Sequence, residues 1–159
     1  PLVGSVLVSD PLADPERIVS EGFVLVELDE LFARSDAISL HVPLVDATRG
    51  LVDSRRLSLS RPGLTLVNTA RGELVDEEAL VVALREGRIG GAALDVTAIE
   101  PLPADSPLRH EPAILLTGHS AAKGRESGRT LRTAVATAIE LWLAGDNPPA
   151  LARSESPGA

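Results

Sequence analysis

The chain has 159 residues, 44% hydrophobic and 24% charged, a globular composition that excludes disorder and a fibrous repeat. A formal net charge of -8 argues against nucleic acid or an anionic membrane surface as a partner, since both ask for a basic footprint. Cysteine is absent and aromatics make up 2%, which excludes disulfides, thiolate metal sites, cysteine nucleophiles and stacking platforms for single-stranded nucleic acid.

The chain opens at Pro1 rather than Met, with no charged and apolar leader, so a processed or truncated chain without a signal peptide is expected. The first element is a Val-rich strand over residues 3–9, ending at Asp10. Asp14-Pro15 reads as an N-cap followed by proline at the first helical position, with Gly22 as the stop. A short strand over 23–27, a short helix over 29–34 and a third strand over 37–42 come next, the last closed by Pro43. Asp53 opens another helix, which Pro62-Gly63 ends, and 64–68 is a strong strand. The best-marked helix covers 76–86. Asp76 caps it, Glu77 and Glu78 suit its positive end, Val75 staples onto Leu80, and Gly87 stops it. Strands at 89–96 and 113–117 precede a long helix at 125–144, which carries Leu131, Val135, Ile139 and Trp142 on one face. Residues 151–159 are polar and small, and are expected to fray. The longest apolar run, 79–84, is too short to span a bilayer.

Apolar strands joined by helices predict a parallel sheet covered on both faces. Such sheets bind ligands beyond the carboxyl ends of their strands. Asp10, Pro43, Asn68-Thr69-Ala70-Arg71, Asp95 and Thr117-Gly118-His119 all stand at strand exits. Asp10 reads either as a turn or cap residue, or as a carboxylate for the two hydroxyls of an adenosine ribose, which would repel a 2'-phosphate. Arg71 reads either as a structural ion pair or as a planar fork for a substrate carboxylate. Glu100 and His119 read either as an unrelated loop acid and a solvated histidine, or as a carboxylate that orients a general acid. His41 is expected as a core or groove histidine and His110 as a solvated one. The three histidines are scattered, so no metal site is expected.

An ordered series of motifs runs along the chain: Ser39-Leu40-His41-Val42-Pro43-Leu44, Thr48-Arg49-Gly50-Leu51, Leu66-Val67-Asn68-Thr69-Ala70-Arg71-Gly72, Leu74-Val75-Asp76-Glu77, Gly91-Ala92-Ala93-Leu94-Asp95-Val96 with Glu100-Pro101, and Leu115-Leu116-Thr117-Gly118-His119. This series resembles the NAD-binding domain of the D-isomer-specific 2-hydroxyacid dehydrogenases. His119-Ser120-Ala121 leans toward the corepressor-like branch of that family. The resemblance implies an α/β, Rossmann-type doubly wound parallel sheet and an NAD-dependent oxidoreductase of the cytoplasm. The implied reaction moves a hydride between nicotinamide and a 2-hydroxy or 2-keto acid, and a homodimer is implied as well. Arg71 would hold the substrate carboxylate, His119 would carry the proton and Glu100 would pair with it. Asp10 would take the adenosine ribose and Asp95 would face the nicotinamide carboxamide. Val42, Pro43, Thr69 and Ala70, with Arg71 and His119, would line the cofactor.

Three departures from the family pattern stand out. The sequence holds no Gly-x-Gly-x-x-Gly, the loop that grips a pyrophosphate. Set against the family, that loop, the first strand and most of a substrate domain would precede Pro1. Residues 1–145 then form a partial NAD-binding domain and 146–159 a tail. Gly118 stands where proline is usual and Thr97 where phenylalanine is common, which would loosen the backbone that aims His119. The first strand is central in this fold, so its loss predicts one of two outcomes. Either its two neighbours draw together, or a gap separates a two-stranded piece from a four-stranded one. A chain of this kind is expected to be inactive alone. The alternatives are a non-catalytic binding or oligomerisation module of the corepressor kind, and an unrelated Rossmann-type protein whose strand-end charges are structural.

Overall fold

A computed structural model describes residues 4–146. The chain divides into two compact units, with the division after His119. The first unit begins with β1 (Leu7–Val8), α1 (Pro15–Ser20), β2 (Val24–Leu25) and α2 (Leu28–Arg34). Next come β3 (Ala37–Leu40), α3 (Ser54–Leu59), β4 (Thr65–Asn68), α4 (Glu77–Arg85), β5 (Gly91–Leu94) and β6 (Ile114–Leu116). The second unit holds α5 (Arg125–Leu143). The expected tail at 146–159 lies outside the described residues except for its first position.

Aspartate begins three of the helices as the sequence predicts. Asp14 accepts the Glu16 N–H at 3.0 Å, Asp53 the Arg56 N–H at 2.7 Å and Asp76 the Ala79 N–H at 3.0 Å. Each satisfies an amide that the helix itself leaves unpaired. Gly22 and Gly87 end α1 and α4 with φ of 82° and 69°, a region that side chains resist. In α4, Leu80, Val81, Ala83 and Leu84 turn one face into the core while Val82 stays exposed. Full burial of a side chain such as Leu80 stabilises by roughly 1.5–3 kcal/mol.

All strand pairs are parallel, and they form two separate sheets: β1 with β2, and β3-β4-β5-β6 in that order. Of the two outcomes expected for a sheet without its central strand, the gap is the one found. No described segment fills the position between β1 and β3. The strands are shorter than the sequence suggests, β1 and β2 having two residues each. A strand with a partner on one side has half the ladder to extend it.

One face of the four-stranded sheet carries Ile38, Leu40, Leu66, Ala92 and Leu94 into a core shared with Phe32, Leu57, Leu74, Leu80 and Leu108. Ala37, Ser39, Thr65 and Leu115 are exposed on the other face. The strands alternate after all, as in Ala37-Ile38-Ser39-Leu40, because small and hydroxyl residues carry the outward set.

Register decides where the strands end. Leu40, Asn68, Leu94 and Leu116 are successive partners across the four-stranded sheet. The segments after β3, β4, β5 and β6 therefore leave from one rim.

In the second unit, α5 presents Leu131, Val135, Ile139, Trp142 and Leu143 to solvent, each more than half exposed. Among the described residues no helix is long and apolar enough to cross a membrane.

Candidate active site

The turn after β4 is organised by Asn68, which is fully buried. Its side chain donates to the Arg71 carbonyl at 2.8 Å and accepts the Ala70 N–H at 3.0 Å. Both ends of the amide are used, so the turn is held by the residue that closes the strand. Arg71 itself is exposed, and its Nη1 donates to the Ala70 carbonyl at 2.6 Å. It has no acidic partner among the described residues. The structural ion pair that the sequence allowed is absent there.

Gly72 comes next and opens a 3-10 turn, Gly72–Leu74. A Cβ on Gly72 would lie 2.0 Å from the Thr97 carbonyl carbon and 2.3 Å from the Ala98 nitrogen. Only glycine allows this approach of two backbones.

Beyond β5, Asp95 is buried and its carboxylate accepts the Thr117 hydroxyl in a short hydrogen bond. Its backbone N–H donates to the Asn68 carbonyl at 2.9 Å. Its carbonyl accepts the His119 N–H at 2.8 Å. Asp95 thus ties the exits of β4, β5 and β6 together. His119 sits at φ 50°, a left-handed conformation that costs a non-glycine residue about 1–2 kcal/mol and that histidine enters more readily than most. The expected looseness at Gly118 takes a definite form: the turn is made at His119, and its N–H is pinned to Asp95.

Glu100 completes the cluster. Its Oε2 lies 2.8 Å from His119 Nδ1, and its Oε1 accepts the Thr97 N–H at 3.2 Å. The His119 contact, and then the Thr97 amide, hold the Glu100 carboxyl below the usual carboxylate range. An ionised carboxylate only accepts. The proton between the two groups therefore resides on His119 Nδ1, and Nε2 is the ring nitrogen left to exchange a proton with a ligand. Both side chains are about half exposed, at 54% and 41%, so the pair is open to a ligand.

Arg71, Glu100 and His119 line one cavity of about 230 Å³, together with Gly72, Glu73, Val96, Thr97 and Ala98. An exposed guanidinium without an acidic partner among the described residues, an oriented imidazole and a carboxylate behind it can bind an anion and move one proton beside it.

The other residues singled out in the sequence stand outside that lining. Val42 and Ala70 are half-buried and Pro43 and Thr69 exposed, at the exits of β3 and β4 on the same rim. Asp10 is exposed after β1, in the other sheet, with one carboxylate oxygen accepting the Leu12 N–H at 2.9 Å. His41 is exposed, with Nε2 2.8 Å from the Ser39 hydroxyl, and is not a core residue. It follows β3 in step with the exposed Ala37 and Ser39. His110 is exposed, as expected, in a 3-10 turn.

Sequence reasoning gave no role to Asn68, Gly72, Thr97 or Thr117. Their signals were present in part: Asn68 and Gly72 belong to a quoted motif, and Thr117 precedes the histidine by two positions. Among the described residues no cluster of His, Asp or Glu could hold a metal ion.

Comparison with known proteins agrees with this arrangement. The profile of the D-isomer specific 2-hydroxyacid dehydrogenase NAD binding domain matches residues 2–121. The chain is 42% identical to D-3-phosphoglycerate dehydrogenase of Mycobacterium leprae over 144 residues, covering 91% of this chain and 27% of that protein. It is 43% identical to glyoxylate reductase of Thermofilum pendens over 129 residues, covering 81% of this chain and 38% of the relative. The D-lactate dehydrogenase of Lactobacillus jensenii, solved with NAD+, superposes with a TM-score of 0.80 at 29% identity, over 91% of this chain and 47% of that one. The chain thus spans between a quarter and a half of the length of these proteins. The strand order, the rim and the profile converge, and the chain belongs to the D-isomer specific 2-hydroxyacid dehydrogenases, of which it carries the NAD-binding, Rossmann-type domain.

Proposed function

We propose that this chain is the catalytic rim of an NAD-dependent oxidoreductase that interconverts a 2-hydroxy acid and its 2-keto acid, and that it does not turn over by itself. The observation that carries the reading is the Glu100–His119 pair at 2.8 Å beside an arginine with no acidic partner, around one cavity.

The residues suit NAD at its two ends. Asp10 offers an exposed carboxylate for the adenosine ribose, and the buried Asp95 offers a fixed acceptor at the rim for the nicotinamide carboxamide. Val42, Pro43, Thr69 and Ala70 supply backbone and small side chains between. The Gly-x-Gly-x-x-Gly that would grip the pyrophosphate is not in this sequence, which supports the reading that the chain is inactive alone. When bound, NAD supplies or takes up the hydride.

The protein groups do the rest. Arg71 binds the substrate carboxylate as a bidentate fork and fixes which oxygen faces the histidine. His119 Nε2 gives a proton to the C2 oxygen in reduction and removes it in oxidation. Glu100 accepts the Nδ1 hydrogen bond and so orients the ring. The Glu100–His119 pair beside Arg71 supports the enzyme over a non-catalytic module. We propose also that the chain is a homodimer; the exposed apolar stripe of α5 supports a covered surface.

The test is a titration of the isotopically labelled chain with a 2-keto carboxylate such as glyoxylate, with NADH consumption followed in parallel. Side-chain resonances of Arg71 and His119 are expected to move, and the His119 response is expected to be lost in Arg71→Ala. No NADH consumption is expected. A ligand response elsewhere, or none, refutes the substrate class, and turnover by the chain alone refutes its dependence on a missing loop.

A further inference from the structure

A further carboxylate contacts the segment that follows β5. Glu77 is the first residue of α4, and its Oε1 accepts the Ala98 N–H at 2.7 Å, from 21 positions away in sequence. Helix formation does not ask for that bond. Asp76 already caps α4, and an acid in the first turn suits the helix dipole wherever its side chain points.

The peptide that Glu77 holds is the one between Thr97 and Ala98. Its neighbour is Gly72, where an added Cβ would fall 2.0 Å from the Thr97 carbonyl carbon. Gly72 and Glu77 flank a single short segment that leads into α4. That segment therefore holds the Thr97–Ala98 peptide by contact at one point and by a charge-assisted hydrogen bond at another. The next link is direct. The Thr97 N–H donates to Glu100 Oε1 at 3.2 Å, and Glu100 Oε2 meets His119 Nδ1.

We propose that Glu77 is a positioning residue for the Glu100–His119 pair: it anchors the Thr97–Ala98 peptide, so that the Thr97 N–H holds the Glu100 carboxylate against the imidazole. The inference rests on the reading of His119 as the proton carrier for its functional meaning, and on geometry alone for its structural content. The groups that act on Glu100 are His119 and the Thr97 amide, which favour its charge, and Asp95, whose charge opposes it. Arg71 and Glu73 line the same cavity.

The test uses the 159-residue chain labelled for NMR, with the Glu100 carboxyl carbon followed through acid titration and amide exchange measured at Thr97 and Ala98. Glu77→Ala is expected to raise the Glu100 midpoint toward the ordinary carboxylate value and to speed Ala98 exchange by about tenfold, the loss of one charge-assisted bond near the surface. Glu77→Gln keeps an acceptor oxygen of the same reach and is expected to restore both readings. Glu77→Asp keeps the charge at the helix start but is one methylene short, and is expected to behave as Ala does. That pair remains informative if Glu77→Ala does not fold. The proposal is overturned if Glu77→Asp leaves the Glu100 midpoint and Ala98 exchange as they were, if Gln fails to restore them, or if only the amides of α4 exchange faster. Neither measurement involves turnover, so a failed dehydrogenase assignment leaves this outcome intact, and the converse holds.

Discussion

Replacing Gly72 with alanine tests whether the β4 exit and the Thr97 loop are as tightly pressed as the structure has them. The added Cβ would stand 2.0, 2.2 and 2.3 Å from the Thr97 carbonyl carbon, its oxygen and the Ala98 nitrogen. Real side chains keep at least 3.0 Å, so two backbones must part by about 1 Å, and no flexible side chain is there to yield. The Thr97 N–H to Glu100 bond, 3.2 Å long, lies on the segment that must move and is expected to lengthen. Overpacking of this kind costs about 1–3 kcal/mol. For a chain of this size that lowers Tm by about 2–12 °C, at roughly 2–4 °C per kcal/mol. The control is Gly118→Ala, whose Cβ meets nothing within 4 Å and whose φ is not left-handed; it is expected to stay within about 0.5 kcal/mol of the parent. Calorimetry gives the Tm values, and amide spectra show whether Thr97 and Ala98 move. A Gly72→Ala chain with the parent Tm and unmoved Thr97 and Ala98 resonances would refute the close approach and the positioning argument built on it.

Acid should weaken the fold partly through Glu100. Its carboxyl is held low in the folded state, so its contribution is present above the ordinary carboxylate pKa and is lost as pH falls through the folded value. Urea denaturation of the parent and Glu100→Gln is expected to differ near neutrality and converge in acid; a difference that persists in acid contradicts the assignment. For the dimer, sedimentation of the parent is expected to show concentration-dependent association that Leu131→Asp with Ile139→Asp abolishes, since both exposed positions lie on the apolar stripe of α5. A parent that stays monomeric at all concentrations removes that proposal.

Local chemistry made the helices legible. Asp14, Asp53 and Asp76 cap α1, α3 and α4 because an aspartate oxygen reaches an amide two or three residues on, whatever the rest of the chain does. The glycines at 22 and 87 stop their helices for an equally local reason, a positive φ. The strand order and the rim of strand exits were legible through the motif series, and the interruption between β1 and β3 was one of the two outcomes it allowed.

What the residues alone could not say concerns approach between distant segments. Nothing in the string places Gly72 against Thr97, Glu77 on the Ala98 amide or Asp95 at the junction of three strand exits. Those contacts exist because parallel register aligns Leu40, Asn68, Leu94 and Leu116, and register is a property of paired strands rather than of either one. His41, read as a core or groove residue, is instead exposed, in step with Ala37 and Ser39 before it. The left-handed turn at His119 is likewise tertiary. A non-glycine residue holds that conformation where neighbours fix it, and here the Asp95 carbonyl and the Glu100 carboxylate do so.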